Sequence, residues 1–153
     1  MKKKFCIIFI LVLFTMGSAF AGANASKKEC VRKCKQAASL VSKVGLKKAL
    51  KIINNKKGPY VWKDTYVFSV DTKKQTVIAH PIKPQLIGKK LLLLKDVNGK
   101  MFFAEFINIA KTKGSGWVEY MWPKPEEKKP VPKITYIFKV KELPVLMAAG
   151  IYK

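Results

Sequence analysis

Two short apolar runs of strand character, residues 66–70 and 76–79, are joined by the polar stretch Asp71-Thr72-Lys73-Lys74-Gln75. Branched and aromatic side chains in runs of this length, bounded by turn residues, predict an antiparallel hairpin. The second run ends at His80, the only histidine of the chain. Pro81 and Pro84 then force the backbone off the sheet, because proline cannot donate to a ladder. A further apolar run, Leu91 to Leu94, follows Gly88. Whatever the rest of the chain builds, it has to supply a sheet for this hairpin and a place for the excursion that leaves it.

Before the hairpin, residues 26–54 follow a helical period. Val31, Cys34, Ala37 or Ala38, Val41 and Val44 step by three and four with lysines between them, and Leu46, Ala49 or Leu50 and Ile53 continue the stripe. Gly45 separates the two halves and is placed to bend the rod or shift its stripe. Ser26, three residues before Glu29, forms a capping box, and Asn54 to Pro59 ends the helix. After the hairpin, residues 84–88 read as a short turn and Asp96-Val97-Asn98-Gly99 as a tight one. Residues 100–111 read as a second helix with Phe103, Phe106, Ile107 and Ala110 on one side, broken by Gly114-Ser115-Gly116. Three strands close the chain, at 117–122, 133–140 and 146–152, the first two joined by a polar loop with prolines at its shoulders.

This order predicts an α+β domain: an antiparallel sheet of five strands with a long N-terminal helix on one face. Alternation sorts the last strands. Ile134, Tyr136, Phe138 and Val140 fall on one side, assigned to the long helix, and Lys133, Thr135, Ile137 and Lys139 on the other. On the preceding strand Val118, Tyr120 and Trp122 are split from Trp117, Glu119 and Met121. A sheet with apolar groups on both faces needs a cover on each. Residues 81–111 are the only material for the second cover, and the space beneath them is the natural place for a pocket.

The length of 153 residues with 49% hydrophobic content suits one compact domain. Lys2, Lys3 and Lys4, an apolar stretch at 5–16 and Ala19-Phe20-Ala21 predict a signal peptide over residues 1–21 and export to the periplasm. Cleavage within the next few residues competes, and an uncleaved stretch would act as a membrane anchor. Residues 22–27 read as a flexible lead-in to a domain over 28–153. The whole chain carries 31 basic and 9 acidic side chains, a formal +22. Removing residues 1–21 takes away three lysines and leaves 28 against 9, a formal +19. Such a charge favours polyanionic surfaces. Export, the dispersal of the lysines and the presence of one arginine, Arg32, argue against a nucleic-acid partner.

Cys6 lies in the leader; Cys30 and Cys34 remain, candidates for a bridge in an oxidising compartment. A four-residue helical step separates their Cβ atoms by about 5–6 Å, longer than a disulfide tolerates, so a bridge requires a distorted helix. Flanking Lys28, Arg32, Lys33 and Lys35 would otherwise make a free thiol more reactive. With no second cysteine pair and one distant histidine, no metal site is expected, and no cofactor is implied.

Tyr66-Val67-Phe68, Ile78-Ala79-His80-Pro81, Leu86-Ile87-Gly88-Lys89, Leu94-Lys95-Asp96-Val97-Asn98-Gly99-Lys100, Gly116-Trp117-Val118-Glu119-Tyr120, Trp122-Pro123, Pro132-Lys133-Ile134-Thr135-Tyr136 and Ala149-Gly150-Ile151-Tyr152 occur in this order. Together, over residues 28–152, they resemble the single Cache domain of the second type, the extracytoplasmic sensor module of bacterial chemoreceptors and sensor kinases. The resemblance implies a PAS-like sheet packed on the long helix and a pocket for a small organic solute, often a short carboxylate. It also implies pairing of two copies through the N-terminal helix. Two departures stand out. The first hairpin turn, of an Asp-x-x-Gly kind in relatives, is one residue longer and lacks glycine, so Lys73 and Lys74 are expected in a looser, exposed turn. The sequence ends just after Gly150-Ile151-Tyr152, where receptors continue, so a stand-alone binding form is expected, with a membrane receptor as partner.

His80 is the candidate donor to a ligand carboxylate, against a purely structural role holding the Pro81 turn. Lys133 is the candidate charge partner, against an ordinary solvated lysine. Tyr66, Tyr120, Trp122 and Tyr136 offer apolar walls with polar tips, with Tyr136 and Trp122 also read by alternation as core, and Trp117 and Met121 offer a second wall. Glu119 would pair with a lysine or an amine ligand. The leading function is non-enzymatic binding of a small solute, a short carboxylate ahead of an amino acid or amine. One histidine, no paired acids at motif spacing and no G-x-S-x-G elbow argue against an enzyme. The alternative is a basic interaction protein docking on an anionic surface or a receptor, marked by salt-sensitive association.

Overall fold

In a computed structural model of the protein, residues 24–153 are described; the expected leader lies outside them. The chain runs α1 (Lys27–Val44), α2 (Leu46–Ile53), β1 (Val61–Trp62), β2 (Thr65–Asp71), β3 (Thr76–Ala79), α3 (Phe102–Thr112), β4 (Ser115–Pro123), β5 (Pro130–Lys139) and β6 (Val145–Tyr152). The strands form one antiparallel sheet in the order β1-β2-β6-β5-β4, with β3 also on β2. This is the expected α+β architecture, with one addition. The two-residue β1 pairs Val61 with Tyr66 and Trp62 with Thr65, which makes six strands rather than five. A run of two residues has no period for a sequence pattern to show.

The capping box at the start of α1 is present. Ser26 Oγ accepts from the Glu29 amide at 3.2 Å, and Glu29 Oε2 accepts from the Ser26 amide at 2.8 Å. Of the stretch expected to be a flexible lead-in, Ala25 is buried and donates its amide to Asp64 Oδ1 at 2.8 Å. The single long helix of the sequence reading is two helices. Gly45 sits at φ 79° and ψ 155°, a region open essentially to glycine, and breaks the ladder between Val44 and Leu46.

The hairpin turn is tighter than expected. Asp71 Oδ1 accepts from the Lys73 and Lys74 amides at 2.9 and 2.8 Å, and Gln75 takes the left-handed conformation (φ 59°) that glycine would fill. Lys73 and Lys74 are nevertheless exposed.

Alternation divides the core as the pleat requires. Cys30, Cys34, Ala37 and Val41 of α1, with Ala49 and Ile53 of α2, pack on Val67, Tyr136, Val140, Val145, Met147 and Ala149. On the opposite face Tyr66, Phe68, Val118, Tyr120, Ile137, Leu146 and Ala148 pack under Phe102, Phe103, Phe106, Ile107 and Ala110 of α3. Residues 81–101 and α3 are thus the second cover. Phe106 is fully buried, a burial that contributes roughly 1.5–3 kcal/mol. It is also about a turn from Phe102 and Phe103, and these three rings form the underside of the roof.

Candidate functional site

At the middle of the sheet β6 presents Ala148 and Gly150 towards the cover, removing side-chain volume where the rings of α3 descend. Gly150 has no room for a Cβ: it would meet Thr135 Oγ1 and approach the Ile134 carbonyl to 2.6 Å. Around this floor stand Tyr66 and Phe68 from β2, His80 just past β3, Phe102 and Phe103 from α3, and Tyr120 and Trp122 from β4, enclosing a cavity of about 10 Å³. That is close to the least space one water molecule needs. Phe102 stacks on Tyr120 with centroids 4.3 Å apart and rings 11° from parallel.

His80 is held from three sides. Its amide donates to Asn54 Oδ1 at 2.8 Å, its Nδ1 accepts from the Lys83 amide at 3.0 Å, and its ring lies 4.8 Å from Tyr66 and 5.7 Å from Phe68. An imidazole that accepts at Nδ1 in its neutral form carries its hydrogen on Nε2. Burial, then the charges of Lys133 and Lys83, push its pKa down to about 3, so it is neutral at ordinary pH and can donate from Nε2. His80 therefore holds the Pro81 turn and lines the cavity at once.

Lys133 is fully buried, with Nζ over the rings of Tyr66 (4.3 Å) and Tyr152 (4.5 Å) and donating to Tyr152 Oη at 3.0 Å. It has no ion pair among the described residues. Burial pushes its pKa down to about 7; more distant Cys30 and Asp64 only partly oppose this. Tyr152 passes its own hydrogen to the Pro123 carbonyl at 3.0 Å. Trp122 Nε1 donates to Tyr66 Oη at 3.1 Å, and Tyr120 Oη meets Thr135 Oγ1 at 3.1 Å. Burial pushes the phenols of Tyr66 (to about 12), Tyr120 and Tyr152 upwards, so all three remain hydrogen-bond donors.

Of the residues proposed from sequence, Tyr66, His80, Tyr120, Trp122 and Lys133 are brought together on the cover face. Tyr136 and Trp117 are not. They sit opposite each other in register, their rings 5.1 Å apart on the face under α1. Met121 lines, with Tyr120 and Lys133, a neighbouring solvent-open cleft of about 190 Å³. Glu119 is exposed and pairs with Lys153 at 2.7 Å. Cys30 and Cys34 are free thiols buried in the α1 core on a regular helical turn. Burial pushes the Cys30 thiol up to about 12 and the Cys34 thiol well above its ordinary value, the reverse of the activation expected from the flanking lysines.

Tyr152, Phe102 and Thr135 were not singled out. Continuing the period of two along the last strand through Ala148 and Gly150 reaches Tyr152, and the i, i+4 step back from Phe106 reaches Phe102.

A PAS-like sheet between a helical layer and a roofed, polar-tipped aromatic chamber defines a small-molecule sensor module. The Cache domain family model matches residues 26–153, and the chain belongs to that family. Modules of this family are non-catalytic, extracytoplasmic sensors of chemotaxis and signal transduction, and the protein is accordingly periplasmic. A structure described as "Structural basis for carboxylic acid recognition by a Cache chemosensory domain" superposes with a TM-score of 0.72 at 26% identity, covering 82% of this chain and 91% of that one. A periplasmic sensor domain of a chemotaxis protein gives 0.65 at 27% identity, covering 82% and 88%. A methyl-accepting chemotaxis protein from Vibrio parahaemolyticus gives 0.69 at 25%, covering 82% and 87%. In sequence, 76 residues are 34% identical to the methyl-accepting chemotaxis protein McpP of Pseudomonas putida, covering 50% of this chain and 14% of that receptor. The chain thus spans a small part of the curated relative's length.

Proposed function

We propose that the chamber binds a short carboxylate, and that Lys133 is its charge partner. The observation that carries this reading is a fully buried ammonium without a carboxylate, set among aromatic rings and hydroxyls. Removing a charge from water is costly unless an opposite charge or strong hydrogen bonds replace the hydration. An anionic ligand supplies the missing partner. His80 Nε2–H, Tyr66 and Tyr120 are the neutral donors that would orient it, and Phe68, Phe102 and Phe103 enclose its short apolar tail. The relation to a Cache domain described by its carboxylic acid recognition supports the same ligand class.

The small cavity bears on size. A ligand of even two or three carbons exceeds about 10 Å³, so Phe102 with the roof that carries it, or Trp122 on β4, has to move aside. Long or branched acids would demand more displacement and bind less well. Delivery of the bound signal to a membrane receptor or sensor partner is the corresponding role for the whole protein.

The experiment is a thermal-shift and calorimetric series of two- to four-carbon acids beside their uncharged amides, on the protein and on Lys133→Met. A ligand that binds only the folded state adds RT ln(1 + [L]/Kd) of stability. The expected result is a rise in Tm with acids, little with amides, and at least a tenfold loss of acid affinity in the variant. Acids that leave Tm unchanged, or bind the variant equally well, would remove the proposed site.

A further inference from the structure

The cover carries a second feature besides roofing the chamber. Six large apolar side chains are exposed among the described residues, and four of them, Ile87, Leu93, Val97 and Met101, fall in one stretch of fifteen positions. Leu93 is 77% and Val97 69% exposed, far more than any of the others. Each rides on a turn: the Leu94 amide closes onto the Leu91 carbonyl at 3.0 Å, and the Gly99 amide onto that of Asp96 at 2.9 Å. Four residues apart, the two tips lie within roughly 14 Å of each other even along an extended chain.

The charges beside them are one-signed. Lys89, Lys90 and Lys95 are exposed and make no ion pair among the described residues. Asp96 is the only acid of the stretch, and its carboxylate is taken up by the amides of Asn98, Lys100 and Met121 at 2.9 Å each. The bond to Met121 also ties the second turn to the sheet edge, so its tip is presented without further ordering.

We propose that residues 87–101 form a docking loop for an anionic lipid surface. Leu93 and Val97 enter the headgroup layer, and Lys89, Lys90 and Lys95 lie against the phosphates. Protein interfaces favour a contiguous apolar core depleted of lysine. Separate aliphatic tips fringed by lysine match a membrane interface, where apolar burial and attraction to anionic lipid add. A lysine near such a surface is worth about a fivefold gain in binding.

The test is co-sedimentation with phosphatidylcholine vesicles containing none or about 30 mol % phosphatidylglycerol. Because the whole chain is basic, two control comparisons isolate the loop. Leu93→Asp with Val97→Asp should lower partitioning onto anionic vesicles at least tenfold, whereas Val44→Asp with Ile52→Asp, the same added charge on the helical side, should change it less than threefold. Lys89→Gln, Lys90→Gln and Lys95→Gln together should lower partitioning and flatten its salt dependence. Failure of the unsubstituted protein to bind anionic vesicles, or equal losses in the two aspartate pairs, overturns the proposal. All of these are read without a chamber ligand, so their failure leaves the acid-binding reading to its own test.

Discussion

Lys133 and His80 are buried titratable groups on the cover face of the sheet, and they titrate in different windows. The folded pKa of Lys133 is near 7 and an unfolded lysine titrates near 10.4. Between those values the unfolded chain holds the extra proton, so this residue makes stability rise with pH, by at most about 1.4 kcal/mol per unit. Lys133→Met should therefore be more stable than the unsubstituted protein near pH 7, with the gap closing towards pH 9.5. Urea unfolding at several pH values measures it, and a gap independent of pH would mean that Lys133 is hydrated. Affinity for an acid should fall over the same window, as the ammonium loses its proton. His80 works lower on the scale. Its folded pKa is near 3 against roughly 6.5 unfolded, so its contribution is complete above pH 6.5 and is lost as pH falls towards 3. His80→Asn, which keeps an acceptor near Nδ1 for the Lys83 amide, should flatten the acid limb of the stability curve; an unchanged limb would place the imidazole in solvent.

At the scale of elements, β6 decides where the chamber lies. Gly150 faces Thr135 so closely that a methyl group has no place, and Thr65 Oγ1 donates to its carbonyl. Gly150→Ala should cost about 1–3 kcal/mol, the usual range for overpacking, read by chemical denaturation. A neutral result would show that β5 and β6 can part. The same elements show what sequence can carry. Periods of two and three to four placed α1, α3 and the five principal strands, because burial of one face imposes them directly. Alternation also put Lys133 on the side of β5 away from the long helix, but it did not join Tyr120 and Trp122 to that side; the register that sets Tyr120 opposite Lys133 does so. Alternation within one strand does not fix its register on the next: Tyr136 lies on the helical face that its own strand's pattern assigned, and Trp117 joins it there because it pairs with Tyr136. The break at Gly45 is legible as an interruption, but its sharpness comes from a backbone conformation and not from a pattern. Helical spacing showed only that a bridge between the two thiols needs a distorted helix, and their inertness was not legible, because burial outweighs flanking charge only when the core is known.

For the molecule as a whole, the sheet is a fixed floor and the cover is the part that has to yield. β2, β6, β5 and β4 are joined edge to edge by continuous ladders. Residues 81–101 contribute a single isolated bridge, Thr76 to Lys90, and are otherwise held by the two backbone bonds between Val77 and residues 88–89, by turn hydrogen bonds and by Asp96. Regions with few ladder bonds open at lower free energy than the core they cover. Since the chamber admits no more than about a water as it stands, binding has to pass through an opening of that cover. Amide hydrogen exchange should therefore be faster across residues 82–101 and the first turn of α3 than across β5 and β6 in the ligand-free protein. A saturating short acid should slow exchange there severalfold while leaving α1 largely unchanged, because α1 packs on the opposite face of the sheet. Slowing confined to α1, or spread evenly over the chain, would locate the ligand elsewhere or reduce its effect to general stabilisation.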